Sequence, residues 1–406
     1  MKNLQVKILR GEEKIGENLI EVFDEKTTIL LDCGVALNGT EETAAQEKKA
    51  VETEYDAIII SHYHHDHSAL LKMPLKAKEI YLGKGAYKIL EYCQGICEAN
   101  KAKLRFLEDG NPFFVGAIEC TPYLCDHSAY DSYMVGLKKG EERVLYTGDF
   151  RSNGRKSFEK LLQKLPRKID RLIVEGTLPV RKNLTEKYVE DKVVELCQKY
   201  DRVFVLQSTL NVDRTVSFYR ASKRANRCFI MSVSSADICR KLSNIPNPVD
   251  YEDCFTYLQS AVGACRYAEV KGPYGKKLLG RKQIAKRSKY VMQVNARMLP
   301  YLQEMAKEGG LKNSLLIFSM WGGYKEEMGN FFDGLRKLGV GMAELHVSGH
   351  ADLDAVKRVI ERTNPDDVSF VHTNKGDAFL WESLLLSMGI GRVNDSYVDL
   401  LQEEDK

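Results

Sequence analysis

Short apolar runs that lead into an acidic residue or a histidine most strongly constrain how this chain folds. Runs of about four to eight apolar residues bounded by polar residues or glycine predict buried strands. The runs, with the residues to which they lead, are TTILLD (Asp32), DAIIIS (His62), RVLYTGD (Asp149), DRLIVE (Glu175), AELHVSGH (His346 and His350) and DVSFVH (His372). Side chains at strand ends stand on a rigid support, so the pattern predicts a site built on sheet edges.

Helices are predicted between these runs. SFEKLLQKL repeats apolar residues at helical spacing, and DLDAVKRVIERTNP begins with acidic residues and stops at Pro365. A third helix is predicted after Asn183, as its N-cap, with Glu186 three residues later in a capping-box arrangement. Strands that alternate with helices predict an α/β fold, in which helices cover the sheets.

The distribution of histidine predicts the domain organisation. No histidine occurs in residues 180–343, although that stretch has strand and helix signals of its own. We therefore expect a first domain that begins in residues 1–179 and is completed by residues 344–406, with residues 180–343 inserted as a second domain.

Composition narrows the function classes only slightly. The chain has 60 basic and 57 acidic residues, a net charge of +3 that neither requires nor excludes a nucleic-acid partner. Its ten cysteines form no C-x-x-C pair and predict reduced thiols of a cytoplasmic protein, although Cys93 with Cys97 and Cys120 with Cys125 leave a pair or a second metal open. No apolar run is long enough for a membrane span, and the N-terminus lacks the apolar core of a signal peptide.

Four of the eight histidines lie in the segment HYHHDH. His62 and His64 are two positions apart, so an extended chain points both to the same side. Asp66 and His67 follow where the chain must turn, an arrangement that suits two neighbouring metal ions. Crowded imidazoles have no packing advantage, because protonated rings repel one another. His65 is expected to be structural or to face outward.

HYHHDH resembles the signature of the metallo-β-lactamase fold, and further motifs of that fold follow in order: LLDCG at Asp32, CDHSAYDS at His127 and YTGDF at Asp149. LIVEGT, HVSGHA and FVHT resemble the three additional motifs of the β-CASP nucleases, which include ribonuclease J and the pre-mRNA 3′-end endonuclease. The resemblance implies a metallo-β-lactamase αββα sandwich with an inserted α/β β-CASP domain.

The resemblance also implies roles for individual residues. One metal would be held by His62, His64, His127 and Asp149, and the second by Asp66, His67, Asp149 and His372. The implied catalytic residues are His350 as general acid, Glu175 as its partner, Asp32 behind a ligand imidazole, and Asp66. Two zinc ions suit such an imidazole-rich site, with manganese as the alternative. The implied reaction leaves a 5′-phosphate and a 3′-hydroxyl.

Two segments are predicted to bind substrate. In HVSGHADLDAV, His346, Ser348 and His350 are two positions apart, Gly349 permits close approach, and a helix beginning near Asp352 offers N–H groups to a phosphate. Residues 266–290 carry nine basic residues against the single acid Glu269, with tyrosines interleaved. We expect Lys276, Lys277, Arg281 and Lys282 of this segment to contact single-stranded RNA or DNA.

Two other functions are compatible with parts of the sequence. HYHHDH alone permits a hydrolase of small esters or thioesters, and a metal-free relative could serve as a scaffold in an RNA-processing complex. The predicted acid pair argues against the first alternative, and the complete ligand set argues against the second. The chain ends 34 residues after His372, so the resemblance does not include the additional C-terminal domain of ribonuclease J. A homodimer is compatible with the family.

Overall fold

The structure is a computed structural model that describes residues 4–36, 39–93, 95–179, 182–259 and 264–390. Contacts divide the chain into two compact units, the first formed by Met1–Asn183 with Gly349–Lys406 and the second by Leu184–Ser348. The side chain of Arg266 and residues 391–406, which the sequence predictions include, lie outside the described part. None of the described helices combines the length and the apolar character of a membrane span.

Strands of the first unit form two six-stranded sheets, with the orders β1-β2-β3-β4-β5-β6 and β19-β11-β10-β9-β8-β7. Their bounds are β1 (Gln5–Arg10), β2 (Leu19–Phe23), β3 (Thr28–Leu31), β4 (Tyr55–Ile59), β5 (Ala77–Gly83), β6 (Leu104–Leu107), β7 (Phe113–Val115), β8 (Ile118–Cys125), β9 (Ser132–Lys139), β10 (Glu142–Tyr146), β11 (Arg171–Glu175) and β19 (Asp367–Val371).

Helices of the first unit are α1 (Glu41–Glu52), α2 (His65–Ser68), α3 (Lys84–Cys93), α4 (Glu98–Lys101), α5 (Phe158–Lys164), α13 (Leu353–Thr363) and α14 (Ala378–Ser387). Alternate residues of the two sheets, such as Ile29 and Ile59 of the first and Val135 and Tyr146 of the second, face each other in a common core. The intervening residues of the second sheet pack beneath α5, α13 and α14. These layers confirm the predicted α/β class, with helices outside a β-sandwich.

The second unit is a seven-stranded parallel sheet with the order β15-β14-β13-β16-β12-β17-β18. Its strands are β12 (Arg202–Leu206), β13 (Cys228–Ser232), β14 (Cys254–Tyr257), β15 (Leu278–Leu279), β16 (Tyr290–Val294), β17 (Ser314–Phe318) and β18 (Gly341–Glu344). Its helices are α6 (Glu186–Lys199), α7 (Val212–Arg224), α8 (Val233–Lys241), α9 (Ala264–Tyr274), α10 (Arg281–Ala285), α11 (Leu299–Lys307) and α12 (Gly329–Lys337). Separate apolar clusters cover its two faces, as a buried parallel sheet requires.

A buried arginine connects the two ends of the second unit. The Arg214 guanidinium is fully buried and donates to the Glu186 carboxylate at 3.0–3.2 Å. The same group donates to the carbonyl oxygen of Val347 at 3.1 Å and to the hydroxyl of Ser319. Glu186 and Val347 lie close to the first and last residues of the unit, so one side chain holds both chain ends.

The predicted cap of α6 is wrong. Thr185 is the N-cap, and its hydroxyl accepts from the backbone N–H of Tyr188. Asn183 is held by a different segment instead: its side-chain amide donates to the carbonyl oxygen of His350 at 2.7 Å, and its backbone N–H donates to Asp352 at 3.1 Å. Tertiary hydrogen bonds therefore outcompete the local capping arrangement that the sequence favoured. The helix predicted near Asp352 does begin there, with Asp352 as its N-cap.

Candidate metal centre

The HYHHDH segment joins β4 to α2 at the edge of the first sheet. His62 and His64 lie in the irregular stretch after the strand, and Asp66 and His67 belong to the single turn of α2. His62 and His67 are buried, whereas His65 is exposed, as expected for a side chain outside the cluster. A short strand followed at once by a tight turn therefore concentrates four donors.

The other predicted ligands follow strands of the second sheet. β10, β11 and β19 are mutually parallel neighbours, so their carboxyl ends lie side by side. Asp149 and Glu175 come from the ends of the first two, and His372 directly follows the third. His127 follows β8 of the same sheet. The sheet thus brings together residues that are more than 200 positions apart in the sequence.

Asp149 lies at the centre of this cluster. Its Oδ2 atom is close to five imidazole nitrogens: 3.3 Å from His67 Nε2, 3.4 Å from His372 Nε2, 3.5 Å from His350 Nδ1, 3.8 Å from His62 Nε2 and 3.9 Å from His127 Nε2. Asp66 Oδ2 is 3.2 Å from His372 Nε2, and His64 Nδ1 is 3.1 Å from His127 Nε2. A carboxylate so placed can bridge two cations.

Four of these imidazoles are oriented by hydrogen-bond partners at their Nδ1 atoms. The partners are Ser61 Oγ for His62 at 3.0 Å, Asp32 Oδ2 for His67 at 2.7 Å, the Gly349 carbonyl oxygen for His127 at 2.6 Å and Thr177 Oγ1 for His372 at 2.9 Å. Ligand imidazoles in metal sites are characteristically held in this way, with the second nitrogen left to the metal. Each ring therefore presents Nε2 towards Asp149.

The donor set fits metal ions. His62 Nε2, His67 Nε2 and Asp149 Oδ1 are buried and have no hydrogen-bond partner in the described part of the chain. Buried polar atoms without a partner are costly, and a cation at this position would satisfy them. Four sets of donor atoms each lie within 4.8 Å of one another: His62 with His64 and His127, Asp66 with His67 and His372, His62 with His67 and Asp149, and Asp149 with Glu175, His350 and His372.

Electrostatics keep several of these rings neutral. Burial lowers the pKa of His64 to about 4. Burial, followed by the neighbouring imidazoles, also holds the pKa of His62 and the pKa of His127 well below the usual range. Neutral imidazoles retain the lone pair that a metal needs, so the site favours the binding-competent form of these histidines.

Asp32 stands behind His67 in a dense hydrogen-bond network. It accepts from the Ser61 N–H at 2.7 Å, the Ser61 hydroxyl at 2.8 Å and the Tyr146 hydroxyl at 2.6 Å, in addition to His67 Nδ1. Its backbone has a φ of 58°, an unfavourable conformation for a residue with a side chain. Such strain persists only where the surroundings enforce it, which here fixes the carboxylate against His67.

His350 and Glu175 form a pair beside the cluster. His350 Nδ1 lies 3.0 Å from Glu175 Oε2, while Glu175 Oε1 accepts from the backbone N–H of Phe150 at 2.6 Å. Burial alone would lower the pKa of His350, but the carboxylates of Glu175 and Asp149 outweigh it and raise the pKa to about 9. Cations in the site would oppose this rise. The geometry therefore places an imidazole whose positive charge is stabilised by neighbouring carboxylates next to the candidate metal ligands.

A buried ion pair joins the loops that carry His127 and Asp149. Asp126 Oδ1 lies 2.5 Å from Arg151 Nε, and the two side chains are 2% and 0% exposed. Asp126 Oδ2 also accepts from the backbone N–H groups of Arg155 and Lys156, at 2.7 and 2.6 Å. One carboxylate therefore holds the whole turn that follows Asp149.

Comparison with known proteins supports this architecture. Residues 27–206 match the β-lactamase superfamily domain. Ribonuclease J of Mycolicibacterium smegmatis is 27% identical over 158 residues, which are 36% of this chain and 28% of that protein. The RNase J-like protein of Methanocaldococcus jannaschii is 27% identical over 202 residues, 45% of this chain and 46% of that protein. The chain therefore contains a β-lactamase superfamily domain and is similar, over part of its length, to ribonuclease J and to an RNase J-like protein.

A solved structure shares the fold over most of the chain. It is a crystal structure of a protein of unknown function from Enterococcus faecalis, with a TM-score of 0.72 and 18% sequence identity, covering 91% of this chain and 94% of that one. The matches to ribonuclease J are shorter, because this chain covers less than a third of the mycobacterial enzyme and less than half of the archaeal protein.

The residues predicted to bind substrate have varied surroundings in the structure. His346 is half-buried in the second unit, and burial followed by the positive charge of Arg214 lowers its pKa to about 4. Ser348 is half-buried, and the segment containing both residues is irregular, because β18 already ends at Glu344. Gly349 belongs to the first unit, where its carbonyl oxygen holds His127.

The four basic residues that were predicted to contact nucleic acid also differ in their surroundings. Lys276 and Lys282 are exposed. Lys277 donates to the carbonyl oxygens of Tyr251 and Glu252. Arg281 lies 3.7 Å from Glu308 and 3.9 Å from Glu304. Lys277 and Arg281 thus have structural partners, and the two exposed lysines are the better candidates for substrate contact.

The sequence did not identify Ser61, Tyr146 or Thr177 as site residues. Ser61 directly precedes His62, Tyr146 is the first residue of the motif YTGDF, and Thr177 is the last residue of the motif LIVEGT. Serine, threonine and tyrosine are too common for position alone to indicate a role. For Thr177 a usable signal existed: it lies two residues after the strand that ends at Glu175, and a side chain from a neighbouring strand at the same sheet edge is within its reach.

Proposed function

We propose that the protein is a metal-dependent nuclease that hydrolyses phosphodiester bonds in single-stranded RNA and leaves 5′-phosphate and 3′-hydroxyl ends. The observation that carries this proposal is the His350–Glu175 pair, 3.0 Å apart, beside the metal-ligand cluster. Release of an alkoxide from a phosphodiester benefits from a general acid, and a carboxylate-supported histidine is suited to that task. Enzymes that hydrolyse small thioesters or lactones have no comparable need for it.

Two zinc ions fit the donor set best in this proposal. The first would be held by His62, His64, His127 and Asp149, and the second by Asp66, His67, Asp149 and His372. Imidazole and carboxylate donors without thiolates suit zinc, and manganese would suit the more carboxylate-rich second position. Bound divalent ions activate water as a nucleophile near neutral pH and neutralise charge that develops on a phosphoryl oxygen.

The residues of the chain supply the remaining chemistry. Water attacks phosphorus, the bond from phosphorus to the 3′ oxygen breaks, and the 3′ oxygen must receive a proton. The His350 ring directs Nδ1 at Glu175, so Nε2 is the atom that would deliver this proton. Glu175, which is fully buried and oriented by the N–H of Phe150, stabilises the positive ring before transfer.

RNA as substrate is supported by the relatives and by charge. Two relatives are named ribonuclease J and RNase J-like protein, although the chain matches only part of each. The second unit contains 26 basic and 17 acidic residues, a net charge of +9, and therefore the first unit carries −6 of the total of +3. A basic unit attached to a phosphodiesterase site favours a polyanionic substrate. Tyr267 is 45% exposed with Lys271 over its ring, which suits stacking on an unpaired base.

Cleavage of an end-labelled RNA by three variants tests the proposal. His64→Ala should lose bound metal and activity together. His350→Gln should keep both metal equivalents and lose about 10²- to 10⁴-fold in cleavage rate, because general acid catalysis contributes that much. His65→Ala, a change of an exposed histidine outside the cluster, is the matched control and should behave like the wild type.

The outcomes separate the competing functions. Wild-type cleavage rates in the His350→Gln variant would contradict the proposed acid. Hydrolysis of a chromogenic ester with RNA left intact would favour the small-molecule hydrolase. Failure of the wild-type protein to bind metal or to cleave RNA, single-stranded DNA or the ester would favour a scaffold. Product ends are determined by ligation, since only a 5′-phosphate permits it.

Substrate contact by the second unit has its own test. The double change Lys276→Ala with Lys282→Ala should weaken RNA binding and reduce the slope of log affinity against log salt by about 0.7 per lost phosphate contact. Lys138→Ala, which removes an exposed charge from β9 of the first unit, serves as the control. An unchanged slope in the double variant would exclude these lysines from the binding surface.

A further inference from the structure

The hydroxyl of Thr177 lies between the candidate metal ligand His372 and the candidate acid pair. Thr177 follows β11, two residues after Glu175. Its Oγ1 atom is 2.8 Å from Glu175 Oε2, 2.9 Å from His372 Nδ1, 3.1 Å from the His372 carbonyl oxygen and 3.3 Å from His350 Nδ1. A single atom thus contacts both halves of the proposed machinery.

The proton of this hydroxyl can go to only one acceptor at a time. The Glu175 carboxylate is the nearest acceptor and carries charge, so it is favoured over the neutral carbonyl of His372. With its proton directed at Glu175, the hydroxyl presents a lone pair to His372, whose Nδ1 must then carry the hydrogen. The His372 Nε2 lone pair consequently faces Asp66 and Asp149, at 3.2 and 3.4 Å.

The opposite proton arrangement is disfavoured. If the hydroxyl donated to His372 Nδ1, Glu175 Oε2 would lose this donor, and the His372 proton would sit on Nε2. That proton would occupy the direction in which a cation is expected. The carboxylate of Glu175 therefore decides, through Thr177, which nitrogen of His372 is free to bind a metal.

The backbone of His372 adds an independent observation. Its φ is 54°, in the left-handed region that β-carbon-bearing residues avoid. Its N–H donates to the carbonyl oxygen of Gly11 at 2.6 Å, and its carbonyl lies within reach of the Thr177 hydroxyl. Strain of this kind persists where several contacts enforce it, here the hydrogen bond from the His372 N–H to Gly11 and the contact of Thr177 with the ring.

We propose that Thr177 is a positioning residue that sets the tautomer of His372 and couples the second metal position to the His350–Glu175 pair. This inference rests on the proposed function for its catalytic half. Its structural half, the tautomer and the metal affinity, is independent of any nuclease activity.

Three threonine variants test the proposal. Thr177→Val replaces the hydroxyl by a methyl group of similar size, and Thr177→Ser keeps the hydroxyl. Thr373→Val is the matched control, because Thr373 is buried next to His372 and its Oγ1 has no hydrogen-bond partner in the described residues. Fluorescence of Trp381, in the same unit, verifies that each variant is folded.

The first measurement is the tautomer of His372 in the metal-free protein, from long-range ¹H–¹⁵N spectra assigned with a His372→Asn sample. We expect the Nδ1–H form in the wild type, Thr177→Ser and Thr373→Val, and a shift towards Nε2–H in Thr177→Val. The second is zinc affinity against a competing chelator. Thr177→Val should weaken one of the two equivalents by about 10- to 100-fold, and Thr177→Ser should restore it.

Cleavage at saturating zinc is the third measurement. Thr177→Val should lower kcat with little change in KM, because Glu175 loses a hydrogen-bond donor while substrate contacts remain. A Thr177→Val protein with the wild-type tautomer and both wild-type zinc affinities would overturn the proposal. If the wild type does not cleave RNA, the proposed function fails, whereas the first two measurements still decide the role of Thr177.

Discussion

The buried pair of Asp126 and Arg151 gives the sharpest stability prediction. Asp126→Ala leaves the fully buried Arg151 side chain without its carboxylate at 2.5 Å and deprives two backbone N–H groups of their acceptor. Removal of one partner from a buried ion pair typically costs about 3–5 kcal/mol. We therefore expect the free energy of unfolding of the first unit to fall by about that amount.

The assay exploits the placement of the two tryptophans. Trp381 is buried in the first unit, stacked on Phe370, and Trp321 is exposed in the second unit. In a Trp321→Phe background, urea unfolding followed by tryptophan emission reports on the first unit alone. This matters because two units need not unfold as one cooperative transition.

A double-mutant cycle distinguishes the ion pair from general damage. In Asp126→Ala with Arg151→Met, both charges of the pair are absent, so the loss of stability in the double variant should be smaller than the sum of the two single losses by about 1–3 kcal/mol. Additive losses would refute the pairing argument. A single Asp126→Ala loss below about 0.5 kcal/mol, the range of an ordinary surface change, would refute the magnitude.

Other predictions concern the metal centre. Asp32→Asn should weaken metal binding by about 10- to 100-fold in a chelator competition, because the amide cannot both hold the His67 tautomer and accept from Ser61 and Tyr146. Gly349→Ala should also weaken metal binding, because the added methyl group would lie 2.4 Å from Ser128 Oγ and displace the carbonyl oxygen that holds His127. Metal titration measures the loss of affinity, and thermal unfolding measures the loss of stability from the close contact. Zinc at about 100 times its Kd should stabilise the first unit by about 2.7 kcal/mol in urea unfolding, and this gain should vanish in His64→Ala.

Much of the fold and of the donor cluster could be predicted from the sequence. Strand runs ending in Asp149, Glu175 and His372 are local signals, and parallel neighbours necessarily bring their carboxyl ends together. The distribution of histidine indicated that the two chain segments form one domain, which hydrophobic periodicity alone does not show. The concentration of histidines in HYHHDH indicates a metal site from the sequence alone, without knowledge of the tertiary structure.

The remaining details depend on contacts that a sequence pattern does not encode. Gly349 holds His127 through a backbone carbonyl, a group that every residue possesses. Thr177 acts through a hydroxyl whose partners lie far along the chain. Asn183 lies three residues before Glu186, as in a helix capping box. It hydrogen-bonds to His350 and Asp352 instead, because those partners lie beside it in the folded unit.

The hydrogen bonds from Arg214 to both ends of the second unit have a consequence for how the chain can fold. Closing the first unit around an unfolded stretch of 165 residues would cost about 3 kcal/mol more in loop-closure entropy than closing it around five residues. Because Arg214 holds both Glu186 and Val347, the folded second unit keeps its two chain ends close together, as a short loop would. Formation of β19 next to β11, and with it the arrival of His372, is thus thermodynamically linked to prior folding of the insert. Arg214→Met should therefore loosen a metal site to which Arg214 contributes no atom.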